Sequence, residues 1–92
     1  MIVVRRISSI SAKFKIKERN TLCEQRSVLR NVQDCKQAAN LLNKPWKTIV
    51  TNRYYPRGCY LETNIGGVYW NKHHTGHLSV YAAPICYKNN SK

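Results

Sequence analysis

Three histidines are the residues of this chain whose types and spacing most suggest chemistry. His73, His74 and His77 lie close together, and histidines four positions apart can share a metal ion when their segment is helical. Gly76 interrupts the cluster, and residues 72–79 fall between two predicted strands. We therefore predict a solvated loop here, with no metal-binding residues.

An enzymatic alternative uses the same histidines. A small ribonuclease-like hydrolase would employ two of them as general acid and base, with Lys72 holding a phosphate. Both histidines must then flank one phosphorus atom, and neighbours on a loop give no sign of that geometry. The acidic residues are too scattered in the sequence for a catalytic carboxylate pair. They are Glu18, Glu24, Asp34 and Glu62. We predict a protein that is not an enzyme and needs no cofactor.

The four cysteines have a structural use instead. Cys23, Cys35, Cys59 and Cys86 lack the two-residue spacing of zinc and redox motifs. An even number in a short basic chain predicts disulfides and an oxidising compartment, either secreted or an organelle lumen, with reduced core thiols as the alternative. Among the possible connectivities we favour Cys35 with Cys59, which ties the helix to a hairpin, and Cys23 with Cys86, which ties the start of the domain to its last strand.

Positive charge is the strongest signal in the composition. The chain has 92 residues, with 16 Lys and Arg against 4 Asp and Glu, and a formal net charge of +12. Such a charge attracts an anionic macromolecule, which could be a larger protein complex, nucleic acid, or an acidic glycan or lipid surface. We expect the basic N-terminal arm to carry most of this affinity, and its deletion to spare the fold. The predicted anion-binding residues in the arm are Arg5, Arg6, Lys13, Lys15, Lys17 and Arg19.

The N-terminal residues allow two other interpretations. Val3, Ile7, Ile10 and Phe14 fall on one helical face, a pattern typical of a mitochondrial presequence. Residues 13–17 instead alternate cationic and apolar side chains, which is typical of a basic edge strand or a flexible arm. No apolar run is long enough for a secretory signal or a membrane span.

The elements that must position these residues begin with one helix. It is predicted from Asn31 to about Asn43, because Asn31 can cap the first turn and Asp34 completes a capping-box-like arrangement. Pro45 prevents further continuation. The predicted buried face consists of Val32, Cys35, Ala39 and Leu42.

Short β-prone runs follow the helix at residues 46–50, 59–63, 68–71 and about 80–87. The middle two form a hairpin, because Gly66 and Gly67 can adopt the positive φ angles that its turn needs. Pro84 implies an edge position or a bulge for the last strand. The expected fold is α+β, with one helix on a three- or four-stranded antiparallel sheet and two disulfides. The expected organisation is a basic arm at 1–20, the domain at 21–88 and a polar tail at 89–92.

Aromatic side chains are interleaved with the basic ones after residue 45. Strand alternation directs Val68 and Trp70 toward the core. It places Tyr60, Glu62 and Tyr69 on the opposite face, and we predict that Tyr60 and Tyr69 are exposed there or contact a partner. Stacking and charge together suit single-stranded nucleic acid, sugars and anionic proteins alike. The set comprises Trp46, Tyr54, Tyr55, Tyr60, Tyr69, Trp70, Tyr81 and Tyr87 beside Lys47, Arg53, Arg57 and Lys72.

An ordered set of motifs carries a resemblance. The stretches CKQAANLL, PRGCYLE, VYWN and PICYK occur in this order between residues 23 and 88. Together they resemble the small cysteine-stapled domains found in proteins of algae and marine protists. The resemblance implies an α+β fold and a secreted or luminal setting, and it implies no activity, ligand or catalytic residue.

These observations predict a non-catalytic cationic binding protein. The favoured form is an accessory subunit that docks on a larger anionic assembly, such as a ribonucleoprotein or a membrane complex. The first alternative is a secreted cationic effector, either antimicrobial or glycan-binding. The second is the ribonuclease-like hydrolase.

Overall fold

The structure is a computed structural model that describes residues 13–88. One helix packs on one face of a five-stranded mixed sheet, and two disulfides link the elements. The predicted α+β class, the single helix and the two disulfides are confirmed. In chain order the elements are β1 (Phe14–Ile16), a 3₁₀ turn (Gln25–Ser27), α1 (Val32–Leu41), β2 (Trp46–Val50), β3 (Pro56–Glu62), β4 (Gly67–Gly76) and β5 (Ala82–Tyr87).

The helix begins where its capping residue predicts. The Asn31 side-chain oxygen accepts the backbone N–H of Asp34 at 2.8 Å, which satisfies a donor that has no partner within the helix. Cys35, Ala38 and Ala39 are its buried residues. Two of these side chains are a single methyl group, so the helix can lie close to the sheet.

The sheet has the strand order β1-β5-β3-β4-β2. The β3–β4 hairpin is confirmed. The expectation of three or four antiparallel strands is wrong in two respects, because the sheet has five strands and β2 runs parallel to β4. Strands β2 and β3 run in opposite directions, and β4 lies between them in the sheet. Because β4 is antiparallel to β3 in the hairpin, it must run parallel to β2.

Strand β5 lies inside the sheet, between β1 and β3, so the edge position inferred from Pro84 is wrong. The Pro84 carbonyl accepts the N–H of Lys17 at 2.9 Å. In an antiparallel strand the N and O of one residue point to the same side, so the Pro84 nitrogen faces Lys17, the residue after the end of β1. Because proline has no N–H, only one of the two possible hydrogen bonds forms at this pair, at the point where β1 ends.

Strand β1 lies within the stretch that was predicted to be an arm. Phe14 pairs with Tyr87 and Ile16 pairs with Ile85, and Phe14 is only 2% exposed. The edge-strand interpretation is therefore confirmed for these residues. The prediction that deletion of residues 1–19 spares the fold is wrong, because the deletion would remove β1 and a core side chain.

Part of the N-terminal prediction falls outside the described residues. Val3, Arg5, Arg6, Ile7 and Ile10 belong to residues 1–12, and the polar tail at 89–92 also lies outside them. Phe14, the last member of the proposed helical face, is in a strand.

Both disulfides have the predicted connectivity. Cys35 on α1 joins Cys59 on β3, and Cys23 joins Cys86 on β5. Cys35, Cys59 and Cys86 are at most 1% exposed, so these bonds pass through the core. None of the helices within residues 13–88 has the length and apolarity to cross a membrane.

Candidate anion-binding site

The segment before the helix places two arginines at the surface. Leu29 is 2% exposed and Ser27 is 3% exposed, and Val28 forms an isolated bridge with Cys86. These three residues fix the backbone against the sheet. Arg26 and Arg30, which flank these three residues, are exposed.

Two clefts flank this segment and share both arginines. The first, which we call the arginine cleft, has a volume of about 330 Å³. Its lining includes three arginines, one tryptophan and no acid. The lining residues are Gln25, Arg26, Val28, Leu29, Arg30, Arg57 and Trp70. The second, the Tyr87 cleft, has a volume of about 390 Å³, and its residues are Arg26, Ser27, Arg30, Asp34, Tyr87 and Lys88.

The acid in the Tyr87 cleft has an internal partner. The Tyr87 hydroxyl donates a hydrogen bond to the Asp34 carboxylate, and the Arg30 guanidinium lies 5.7 Å from the Tyr87 ring centroid. Burial, reinforced by the hydrogen bond to Asp34, raises the pKa of Tyr87. Because the carboxylate is engaged by this hydroxyl, it competes less with an incoming anion for the arginines.

Asn71 holds the loop that brings Arg57 to the arginine cleft. This amide is 1% exposed, and its nitrogen donates to the carbonyls of Asn52, Tyr55 and Pro56 at 2.7, 3.0 and 3.0 Å. Its oxygen accepts the Asn52 N–H at 2.9 Å. A buried amide with these bonds gives the loop one conformation.

The same loop presents an exposed aromatic ring. Tyr54 is 67% exposed, and the Arg53 guanidinium lies 5.2 Å from its ring centroid. Strands β2 and β4 are parallel and β3 is antiparallel to β4. The β2–β3 loop therefore lies at the end of the sheet where β3 begins with Pro56 and Arg57.

The histidines do not form the predicted solvated loop. His73 and His74 are in β4, and their rings stack at 4.8 Å. His73 Nδ1 accepts the backbone N–H of Gly76 at 2.9 Å. The loop prediction is wrong because pairing of Gly76 with Pro56 extends the strand. Within residues 13–88, no three side chains of the types that bind metals come together.

Tyr60 is not exposed as predicted. It is 3% exposed. Its ring stacks on that of Tyr69, with the centroids 5.5 Å apart, and is tilted against that of Tyr55, with the centroids 5.2 Å apart. Residues 77–81 explain its burial. They connect β4 to β5 across β3, bonded to Tyr55 at one end and to Thr63 at the other, and the helix occupies the opposite face. Tyr69 is half-buried.

We expect the free energy of unfolding to fall as the pH rises above 10. Burial, followed by Tyr55, Tyr69 and Glu62, raises the pKa of Tyr60 above its usual 10.0. The folded protein then holds the phenolic proton more tightly than the unfolded chain. The stabilisation is complete below pH 10 and is lost as the pH rises toward the folded-state pKa. Guanidinium unfolding from neutral to alkaline pH measures this loss.

Tyr60→Phe is the matched variant for this prediction. It keeps the ring and removes the ionisable hydroxyl, so its unfolding free energy should fall less steeply above pH 10. Equal slopes for Tyr60→Phe and the wild type would contradict the assignment to Tyr60.

The structure disperses the described members of the predicted anion-binding set. Lys13 lies beside Lys88, whose N–H donates to the Lys13 carbonyl at 2.9 Å. Lys15 pairs with Cys86. Lys17 Nζ donates to the Leu22 carbonyl at 3.0 Å, beyond the end of β1. Arg19 is exposed in the following turn, so these four cations do not converge on one cleft.

Sequence reasoning missed the residues that do converge. Arg26 and Arg30 belong to a segment without strong helix or strand pattern, so no signal placed them beside Arg57. Asn71 offered one signal, because a polar side chain at the end of a β-prone run requires hydrogen-bond partners when it is buried. Its partners could not be identified without the fold.

Comparison of the chain with protein-family models, curated proteins and solved structures finds no match. The resemblance to algal and protist cysteine-stapled domains stays a prediction.

Proposed function

We propose that this protein is a non-catalytic cationic binding protein and that it docks on a larger anionic assembly as an accessory subunit. The arginine cleft carries the proposal. Three arginines, Arg26, Arg30 and Arg57, line one cleft that has no acid among its lining residues. Guanidinium groups form paired, charge-assisted hydrogen bonds with phosphate, sulfate and carboxylate groups, so they suit an anionic partner.

The surroundings of the cleft favour binding without large rearrangement. Arg26 and Arg30 extend from a segment fixed by buried Ser27 and Leu29. Arg57 follows a loop held by Asn71. A site whose backbone is already ordered loses less conformational entropy when its ligand binds.

The histidine geometry supports a non-catalytic role over the hydrolase alternative. His73 Nδ1 accepts two backbone N–H groups, from Gly76 at 2.9 Å and from Thr75 at 3.2 Å. A ring nitrogen occupied in this way is a poor general base. The two core disulfides suit an oxidising compartment, and we propose a secreted or luminal location.

Removal of the three arginines should weaken binding to a simple polyanion. We expect the Arg26→Gln/Arg30→Gln/Arg57→Gln variant to bind long-chain inorganic polyphosphate on the order of tenfold more weakly or worse, because each lost contact is charge-assisted. The slope of log affinity against log salt concentration should be shallower by roughly 2 to 3. The variant makes fewer phosphate contacts, and its binding therefore releases fewer counterions. Fluorescence anisotropy with labelled polyphosphate, repeated at increasing salt concentration, measures both the affinity and the slope.

A second triple variant controls for net charge. Arg19→Gln/Lys44→Gln/Lys47→Gln also lowers the formal charge from +12 by 3, to +9, at exposed positions outside the cleft. It should retain most of the wild-type affinity. If both triple variants lose affinity and salt slope equally, binding depends on overall charge and the proposed site is wrong.

A further inference from the structure

We infer that the anionic partner is single-stranded nucleic acid, with phosphates in the arginine cleft and bases stacked on Tyr54 and Trp70. This inference rests on the proposed function and deepens it. Aromatic rings beside arginines are what single-stranded recognition requires, because every base offers a π-face and every linkage offers a phosphate.

Trp70 gives the arginine cleft an aromatic surface. It is half-buried and packs against the core, and it also lines the cleft with Arg26, Arg30 and Arg57. A base that enters beside its phosphate therefore meets an indole already fixed in position. Stacking on a fixed ring loses little side-chain entropy.

Tyr54 provides a second aromatic surface at the same end of the sheet. At 67% it is the most exposed of the large hydrophobic side chains in residues 13–88. Its neighbours include Arg53, whose guanidinium stacks at 5.2 Å. Asn52, one residue before Arg53, accepts the Tyr54 N–H through its side-chain oxygen at 2.8 Å. An exposed ring on an ordered loop gains little by folding and is available for a ligand.

The arrangement favours a single strand over other polyanions. Bases in a duplex are already stacked and cannot lie on a protein ring, and a duplex would use only the arginines. Sulfated glycans carry comparable charge and can pack their sugar rings on aromatic side chains, but they have no π-face to stack. A single strand therefore uses the guanidinium groups and the rings together most fully.

Fluorescence anisotropy with labelled oligonucleotides of about 12 residues tests the inference. We expect oligo(dT) and oligo(U) to bind more tightly than a duplex of the same length, heparin fragments or inorganic polyphosphate at equal salt concentration. The ranking of oligo(dU) against oligo(U), which differ only in the 2′-OH, then distinguishes DNA from RNA as the preferred form. Tryptophan emission should be quenched by the oligonucleotides and unchanged by polyphosphate. The Trp46→Phe variant assigns the quenching to Trp70.

Tyr54 variants test the stacking directly. Tyr54→Ala should weaken oligo(dT) binding by roughly 5- to 150-fold, the range for loss of one stacked base. Tyr54→Phe keeps the aromatic ring and should bind oligo(dT) as tightly as the wild type. Neither variant should alter polyphosphate binding. Tyr81→Ala is the control, because Tyr81 is also 50% exposed but bonds to Thr63 near the opposite end of β3.

Two results would overturn the inference. One is equal binding of oligo(dT) and polyphosphate with no tryptophan quenching. The other is unchanged oligo(dT) affinity in Tyr54→Ala. In either case the proposed anion-binding function still stands if the arginine triple variant loses polyphosphate affinity, so the two failures are distinguishable.

Discussion

The domain is expected to unfold at neutral pH when both of its disulfides are reduced. The bonds close loops with sequence separations of 24 and 63 residues, and each contributes roughly 3 to 4 kcal/mol in the chain-entropy model. A small domain has a total stability of about 5 to 15 kcal/mol. The two bonds together, at roughly 7 kcal/mol, therefore account for about half of this stability or more. Guanidinium unfolding monitored by circular dichroism, with and without a phosphine reductant, measures the change.

Two double variants separate the contributions of the bonds. Cys35→Ala/Cys59→Ala breaks the link between α1 and β3 and also removes two sulfur atoms from the core, because Cys35 and Cys59 are at most 1% exposed. Cys23→Ala/Cys86→Ala has a half-buried partner at Cys23 and removes less packing. We expect both variants to be destabilised. Reduced protein with the wild-type unfolding midpoint would contradict a stabilising role for the disulfides.

Local sequence signals predicted the parts of the fold that depend on neighbouring residues. Asn31 and Asp34 define the helix start through one side-chain hydrogen bond, and that bond forms as expected. The favoured pairing of Cys35 with Cys59 rested on a wider argument, that a helix and a hairpin must share a thin core, and it is confirmed. The turn at residues 64–67 was recognisable from its paired glycines. Gly66 has the expected positive φ, at 83°, whereas Gly67 does not.

Long-range pairing produced the features that were not predicted. Residues 72–76 are polar and look like a loop, yet they continue β4 because Pro56 pairs with Gly76. Tyr60 alternates onto the face away from the helix, as expected, but residues 77–81 cross that face and bury it. Secondary-structure propensity and hydrophobic alternation describe one strand at a time. Neither predicts which face of the sheet a later segment will cover.

The candidate site depends on the same kind of long-range contact. Arg26 and Arg57 are far apart in sequence and lie in one cleft because residues 27–29 dock against β3 and β5. Basic residues were plentiful in the N-terminal stretch, where charge density suggested an arm. Convergence of side chains, which determines a binding site, required the packed structure.

Gly76→Ala is the single substitution from which we expect a very large loss of stability. Gly76 has a φ of +67°, and a Cβ added to it would lie 2.4 Å from the Arg57 nitrogen and 2.6 Å from the Tyr55 oxygen. Both are backbone atoms, so no side chain can rotate away. We expect a loss of about 3 kcal/mol or more, because steric overlap adds to left-handed strain.

Gly66→Ala measures the loss of stability from left-handed backbone strain alone, without steric overlap. Gly66 has a φ of +83° but no atom within 4 Å of an added Cβ, so this variant should lose only about 1 to 2 kcal/mol from left-handed strain. Guanidinium unfolding compares the two variants. Gly76→Ala should also weaken polyphosphate binding, because relief of the overlap displaces the backbone of residues 55–57 and moves Arg57 out of the arginine cleft. Equal losses of stability in the two variants would mean that the backbone of residues 55–57 can move away from the added Cβ without loss of stability. That backbone would then not hold Arg57 in place.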